Sequence, residues 1–515
     1  MGLSNMQGRS LQRLIATLSS VAFLVQGYNQ SVMNGFTTLP TFLAQIPQVD
    51  TVHTKGHLKS HNATILGLVV AIFELGSALG ALSCIVVGDR LGRPKTMLLA
   101  GITCIIGVVI QGSTFSLGQI IAGRIITGLG IGLYTGTVPM YVSETAETNR
   151  RGPLVLLEGP FALGGLAIAS WVNFGMYHTS GSVTWRFPIC LQLVFLAIIV
   201  SLTPLLPESP RWLVKQERLE DATRVMARLM GLPVHDSTVI REVAIIQAAV
   251  ARDAGHRHKY SGNPFSMNEN RHFHRLVLAM VATAICQLTG INVIAFYSTS
   301  IFESTLGYSG SDARVFTACL QVTLALGGLT AIFLVERIGR RRLMLFSTGC
   351  MALAQAAVAG LSSDLKNPDA GRAAIFFYFF ALYTLPIGMF AIPFMYGAEI
   401  APLGIRHKVT AMGAATSWLF NFMVAEVTPT AFEHIQWRYN IVYACTSVGG
   451  VIVIYLFYPE TRGRSLEEID EIFLASKSIF DPVRVAKQLP MGGTGILETT
   501  EGTKDASDIA YTERV

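Results

Sequence analysis

Twelve long apolar stretches alternate with polar segments, and each is about the length that crosses a bilayer as a helix. They fall at 12–36, 63–87, 95–112, 117–141, 153–176 and 186–206, then at 276–303, 312–335, 342–361, 374–397, 410–430 and 439–458. Between the two sets of six lies a polar segment, 207–275, with helical periodicity around 217–230 and 238–252. The pattern predicts an all-α membrane protein of twelve transmembrane helices in two six-helix bundles joined by a helical linker. The divisions are 1–11, 12–206, 207–275, 276–458 and 459–515. Residues 465–474 read as a short acidic amphipathic helix. The rest of the tail is rich in Gly, Thr, Glu and Asp and predicts disorder.

The two sets of six repeat each other. Gly88-Asp89-Arg90-Leu91-Gly92-Arg93 returns as Val335-Glu336-Arg337-Ile338-Gly339-Arg340, an offset of 247 residues. Glu144, ahead of Arg150 and Arg151, is echoed 255 residues on by Glu399, ahead of Arg406 and Lys408. Pro207-Glu208-Ser209 is echoed by Pro459-Glu460-Thr461 after 252 residues. A duplicated, pseudo-symmetric membrane bundle is the design of a secondary transporter with a site between its halves. Many glycines lie inside the spans, and Gly76, Gly80, Gly128, Gly130 and Gly132 suit close helix approach.

Composition agrees with the span count. Charged residues are 14% of the chain, against about 25% in soluble domains. The net charge of +6 resides in loops flanking the spans rather than in a stripe with aromatics, which argues against nucleic acid as a partner. The basic loops at 88–95, 142–152, 336–342 and 402–409 predict a cytoplasmic face, with the linker and both termini on that side. Asn62, in the sequon Asn62-Ala63-Thr64, then falls on the outer side as a candidate glycosylation acceptor. The seven cysteines form no C-x-x-C motif and read as buried thiols. Two H-x-H pairs, His256/His258 and His272/His274, lack further ligands at metal spacing and read as solvated loop. No metal, cofactor or enzymatic constellation is predicted, and nothing resembles a nucleotide-binding loop.

The ordered set of motifs carries a family resemblance. It comprises Gly27-Tyr28, the repeated acid-Arg-x-Gly-Arg loops, Arg124 ahead of Gly128-x-Gly130, and Pro207-Glu208-Ser209-Pro210-Arg211-Trp212-Leu213. It continues with Gln287-Leu288-Thr289-Gly290-Ile291-Asn292 and Pro459-Glu460-Thr461-Arg462-Gly463-Arg464. Together they resemble the sugar porter family of the major facilitator superfamily over about residues 12–475. Leu157-Glu158-Gly159 and Trp171-Val172-Asn173-Phe174-Gly175 are similar to its fungal branch, which handles hexoses, pentoses, polyols and glycerol.

The resemblance implies a multi-pass carrier, in the plasma membrane by default, that moves a sugar or polyol by alternating access. Twelve spans suffice for a monomer, and its partners are the solute, the bilayer and, in a proton-coupled variant, protons. A solute of this kind needs neutral hydrogen-bonding groups beside an apolar or aromatic platform. Gln287, Asn292, Tyr297, Trp418 and Asn421 are the implied contacts. Gly159 stands where the family has a sugar-binding Gln, Cys286 replaces a second Gln beside Gln287, and Leu324 replaces an Asn. The pocket is therefore poorer in polar groups than a glucose site.

Coupling in the family relies on a first-span carboxylate near the fourth-span Arg. Here the pair is Asn29 and Arg124, and Asn does not titrate, which favours uniport. Two other intramembrane acids, Glu74 and Glu158, keep proton symport as the alternative. A non-transporting nutrient sensor on the same fold is a third reading. It is disfavoured because sensors carry long tails and the segment after 476 is short. Asp89, Arg93, Glu144, Arg150, Arg151, Glu208 and Arg211 would form one side of a cytoplasmic latch, and Glu336, Arg340, Glu399, Arg406 and Glu460 the other. Such a latch clamps the halves when the site opens outward.

Overall fold

The computed structural model describes residues 6–146, 157–259, 263–267, 269–364, 367–402, 405–464 and 466–489. Among the described residues, nine helices are long and apolar enough to cross a membrane, and three less apolar ones complete twelve spans. The first half contains α1 (Gly8–Val32), α2 (Gly56–Leu91), α3 (Arg93–Gly112), α4 (Leu117–Thr145), α5 (Glu158–Tyr177) and α6 (Val183–Leu202). The second contains α7, broken into His272–Leu288 and Ile291–Ser300, then α8 (Gly310–Ile338) and α9 (Arg340–Ser362). It ends with α10, broken into Pro368–Met389 and Ile392–Ile400, α11 (Arg406–His434) and α12 (Arg438–Phe457). Short loops force neighbouring spans antiparallel, so all the repeated Arg motifs emerge at one end of the bundle, here the Arg-rich end.

Small residues set the helix contacts, because lipid tails give apolar helices no reason to prefer one another. Along the α2–α4 contact, a Cβ on Gly76, Gly80, Gly128 or Gly132 would strike backbone of the other helix. On Gly130 it would strike α3 instead. The five glycines singled out from sequence all lie at such approaches.

The sequence repeat becomes a repeated structure. Gly92 and Gly339 take positive φ, 85° and 104°, and turn the chain sharply from one span into the next. The turn presents the backbone N–H of Arg93 to Glu208 Oε1 at 2.8 Å and that of Arg340 to Glu460 Oε1 at 2.9 Å. A carboxylate thus caps the positive end of α3 and of α9. Arg93 pairs with Glu144 at 2.9 Å, and Arg340 with Glu399 at 3.0 Å. Tyr141 and Tyr396 donate to the carbonyls of Pro207 and Pro459 at 2.7 and 3.0 Å. Each cluster is assembled inside one half. Asp89 pairs with Lys215 of the linker at 2.7 Å, and Glu336 with Arg340 at 2.8 Å. Arg211 opens the linker helix Pro210–Lys215, and Arg406 donates to the Ala401 carbonyl at 3.1 Å. Arg150 and Arg151 lie outside the described residues.

The halves are joined at the opposite, far end. α2 and α11 run side by side there, with Lys59–Glu433 at 2.6 Å, Ser60–His434 at 3.0 Å and Thr64–Thr430 at 3.4 Å. Next along this seam, a Cβ on Gly67 would overlap the Glu426 carbonyl oxygen. A polar plug crosses beside the seam. Asn34 donates to the Ala295 carbonyl (3.1 Å) and Ser298 Oγ (2.8 Å) and accepts from the Thr299 N–H (3.1 Å). Arg314 donates to the Gly35 carbonyl at 3.1 Å and Thr38 Oγ1 at 2.8 Å, with its guanidinium 4.3 Å from the Tyr177 ring centre.

Three local features depart from the sequence reading. None of the four histidines read as solvated loop is in a loop: His256 and His258 end the linker helix Ser237–Lys259, His272 and His274 open α7, and His272 is buried. The tail contains a second helix, Asp481–Gln488, beyond Leu466–Ala475. Arg464 donates to the carbonyls of Ala486 (2.6 Å) and Leu489 (2.9 Å), and Phe480 lies 4.8 Å from Phe457, so this stretch is ordered by docking. Asn62 is buried and donates to the Asp50 carbonyl at 2.8 Å, so a glycan on its Nδ2 would displace that bond.

Candidate substrate-binding site

The break in α7 builds the site. Gly290, at φ 83°, ends the first helical segment after Leu288 and starts the second at Ile291. A break at membrane depth frees backbone carbonyls that must find new donors. Gln355 Nε2 reaches the Thr289 carbonyl at 3.1 Å, and Thr446 Oγ1 reaches that of Leu288 at 2.6 Å. The side chains of Gln287 and Asn292, on either side of the break, are thereby brought together.

Asn292 Nδ2 donates to Gln287 Oε1, and Gln287 Nε2 donates to Ser417 Oγ at 2.8 Å. Ser417 and Asn421 are four residues apart on α11 and so share a face, with Trp418 beside them. Gln287, Asn292, Ser417, Trp418 and Asn421 are all buried, and Asn421 Oδ1 has no hydrogen-bond partner among the described residues. The structure joins Gln287 and Asn292 to each other and, through Ser417, to α11, the helix that also carries Trp418 and Asn421. Ser417 was missed because a serine inside a span carries no distinctive signal. Tyr297 has another duty. Its hydroxyl donates to the Ala425 carbonyl at 2.7 Å and ties α7 to α11.

On the first half, Gly159 borders an apolar region. Gly159 lies against Phe390 of α10, its Cβ position 3.9 Å from the ring. It lines a cleft toward the Arg-rich end whose other walls include Leu163, Gly328, Ile332, Pro386 and Met395. This cleft between α5, α8 and α10 is apolar. Glu158, at the start of α5, is buried, and its Oε1 has no partner among the described residues.

The charged residues of the first half gather around Arg124. Its guanidinium donates to the Val69 carbonyl at 3.2 Å, to the Val70 carbonyl, and to the Asn29 carbonyl at 3.4 Å, and lies 4.9 Å from the Phe73 ring centre. The Asn29 side chain does not meet it, since Nδ2 donates to Val25 O of its own helix at 3.1 Å. Glu74 is the acid in the field of Arg124, 1% exposed, with Gln30 as a hydrogen-bond partner. No such cation acts on Glu158 among the described residues. Arg124 also acts electrostatically on Tyr297, as does Glu426 of α11. The Tyr297 hydroxyl of the second half thus lies within the electrostatic field of Arg124 in the first. Sequence reading passed over Glu426, although an acid within the span 410–430 was a signal of the same kind as Glu74.

The family model described as "Sugar (and other) transporter" matches residues 15–473. The chain belongs to this sugar transporter family of the major facilitator superfamily. The MFS-type transporter oryC of Aspergillus oryzae is 34% identical, over 90% of this chain and 86% of its own length. The sugar transporter STL1 of Saccharomyces cerevisiae is 34% identical over 94% and 85%. Among solved structures, the inward-open xylose transporter XylE of E. coli superposes with a TM-score of 0.73 at 21% identity, covering 90% of this chain and 99% of its own. That likeness establishes the shared fold. Sugar transporters of this superfamily are carriers, not enzymes, and this member is a multi-pass membrane protein.

Proposed function

We propose that this chain moves a small, neutral, polyhydroxylated solute, a sugar or polyol, through the plasma membrane by alternating access and as a facilitative uniporter. The observation that carries the solute class is the row Asn292–Gln287–Ser417, with the unpartnered Asn421 side-chain Oδ1 and Trp418 on the same helix as Ser417. It offers neutral donors and acceptors and an indole face, with no fixed charge. The names of its relatives STL1 and oryC support the reading. Gly159, Cys286 and Leu324 in place of polar residues favour a polyol or pentose over a hexose. The Arg-rich end faces the cytoplasm by the distribution of Lys and Arg, with both termini there. The paired Arg93 and Arg340 clusters serve as the cytoplasmic latch, each preassembled in its half and free to meet the other when the far end opens.

Uptake of labelled polyols and sugars by proteoliposomes tests this. Gln287→Ala removes the donor to Ser417 and the acceptor for Asn292. A lost buried hydrogen-bond partner costs about 1–3 kcal/mol, so KM should rise about five- to a hundredfold with surface expression unchanged. An unaltered KM would remove Gln287 from the pocket. Binding without flux would favour a sensor, a reading kept in view because the high glucose sensor RGT2 of S. cerevisiae is 30% identical, with this chain spanning 60% of its length.

Uniport rests on Asn29, which cannot titrate and whose amide is committed to its own helix. Uptake should therefore vary little between about pH 5 and about pH 7 and survive a protonophore. Asn29→Asp, with the Asn29 carbonyl 3.4 Å from Arg124, should introduce pH dependence. One observation favours proton symport as the second reading: Glu74 is a buried acid beside Arg124. Under that reading a protonophore collapses uphill uptake and Glu74→Gln removes the effect; under uniport Glu74→Gln leaves flux intact.

A further inference from the structure

At the Arg-rich end, outside the transport path, a cavity of about 470 Å³ opens between the α2–α3 turn and the linker. Its cations come from two separate elements. Lys95 belongs to the first turn of α3, while Arg218, Arg224 and Arg228 come from the linker helix Leu219–Met230 and its cap. Two carboxylates share the lining, and both are already engaged. Glu208 Oε1 accepts the N–H groups of Arg93 and Ser209 at 2.8 and 2.9 Å. Asp221 pairs with Arg218 at 2.7 Å and with Arg224 at 3.3 Å. Lys95 has no hydrogen bond or ion pair among the described residues, so positive charge remains over.

We propose that this cavity binds the phosphate headgroup of an anionic membrane lipid and so fastens the linker to the first half. A phosphate monoester is the anion that four converging cations against two engaged carboxylates would select, since it accepts several charge-assisted hydrogen bonds at once. The lipid source follows from position. The cavity begins at the first turn of a membrane span, and Leu91 on its rim and Leu219 beside it are 40% and 41% exposed, an apolar shoulder suited to acyl chains. The wall opposite is Trp212, fixed by its indole N–H to the Asp89 carbonyl at 3.0 Å. The same linker helix holds the start of α1. Gln12 donates to the Leu229 carbonyl at 3.1 Å, and Arg228 Nε to that of Met6 at 3.1 Å. A headgroup bridging Lys95 to Arg224 therefore ties α3, the linker and α1 together.

Binding is measured on the full chain in neutral detergent with short-chain phosphatidylinositol 4-phosphate, short-chain phosphatidylcholine and free inositol phosphate. The phosphoinositide should bind saturably, and more weakly as salt rises. Lys95→Gln/Arg224→Gln should weaken it by about tenfold or more, the loss of two charge-assisted contacts. Retained solute uptake shows that the double variant folds; if it does not, Lys95→Gln alone, at an exposed surface position, should still weaken binding several-fold. Because the readout is lipid binding, its failure is separate from any failure of the transport reading. Phosphoinositide binding no tighter than phosphatidylcholine, binding indifferent to these variants, or binding of free inositol phosphate alone would each overturn the proposal.

Discussion

Arg124→Ala should abolish uptake and destabilise the protein. The guanidinium is 1% exposed, and its contacts are the Asn29, Val69 and Val70 carbonyls, the Phe73 ring and the field of Glu74. Removing it leaves three buried carbonyls without their donor, each lost partner costing about 1–3 kcal/mol, and takes away the cation whose field acts on Glu74. It also unties α4 from α1 and α2, the three helices whose arrangement α7 meets through Tyr297. The discriminating measurement is the second substitution. Glu74→Gln in the Arg124→Ala background removes the acid deprived of that field and should restore part of the lost thermal stability, without restoring transport. Equal stability of the single and double variants would show that Glu74 is not coupled to Arg124.

Gly67→Phe should leave a folded protein that does not transport. Gly67 is where α2 and α11 touch backbone to backbone, since any Cβ there would overlap the Glu426 carbonyl oxygen. A phenyl ring cannot be absorbed by a side-chain rotation on the other helix, so the halves must separate along the seam formed by Lys59–Glu433, Ser60–His434 and Thr64–Thr430. The Asn34 plug beside it should open too. Every 1.4 kcal/mol of strain in the far-end-closed state lowers its population tenfold, so about 3 kcal/mol makes the closed state rare and halts the cycle. The readout is labelling of Asn34→Cys by a membrane-impermeant maleimide from outside. Labelling should be slow in the Gly67 background and about ten- to a hundredfold faster with Gly67→Phe. Slow labelling with full transport would show that this contact does not govern opening.

The two variants act on different layers of one device. Arg124 organises the interior of the first half, and Gly67 sets how closely the halves approach. Between them lies Tyr297, bonded to Ala425 and within the electrostatic reach of both Arg124 and Glu426. Solute bound by Gln287 and Asn292, as proposed, would sit on the same helix as Tyr297. Such a link lets binding energy bias the switch without direct contact between solute and charge.

Much of this was legible in the chain, and for definite reasons. Span number follows from bilayer thickness, which demands runs of fixed length. The duplication is visible because each half must turn sharply at Gly92 or Gly339 and cap the next helix with Glu208 or Glu460, and those needs fix residue types at fixed offsets. Gln287 and Asn292 were readable because amides in a broken span require partners. The sequence alone did not determine which partner each residue takes. Asn29 and Arg124 looked like a pair, yet the side chain of Asn29 turns to its own helix and Glu74 is the acid near Arg124. Ser417 and Glu426, the far-end seam and the docking of Asp481–Gln488 depend on helix rotation and on contacts between residues hundreds of positions apart. Periodicity and local chemistry specify what a residue can do, whereas only the tertiary arrangement of the two halves decides what it meets.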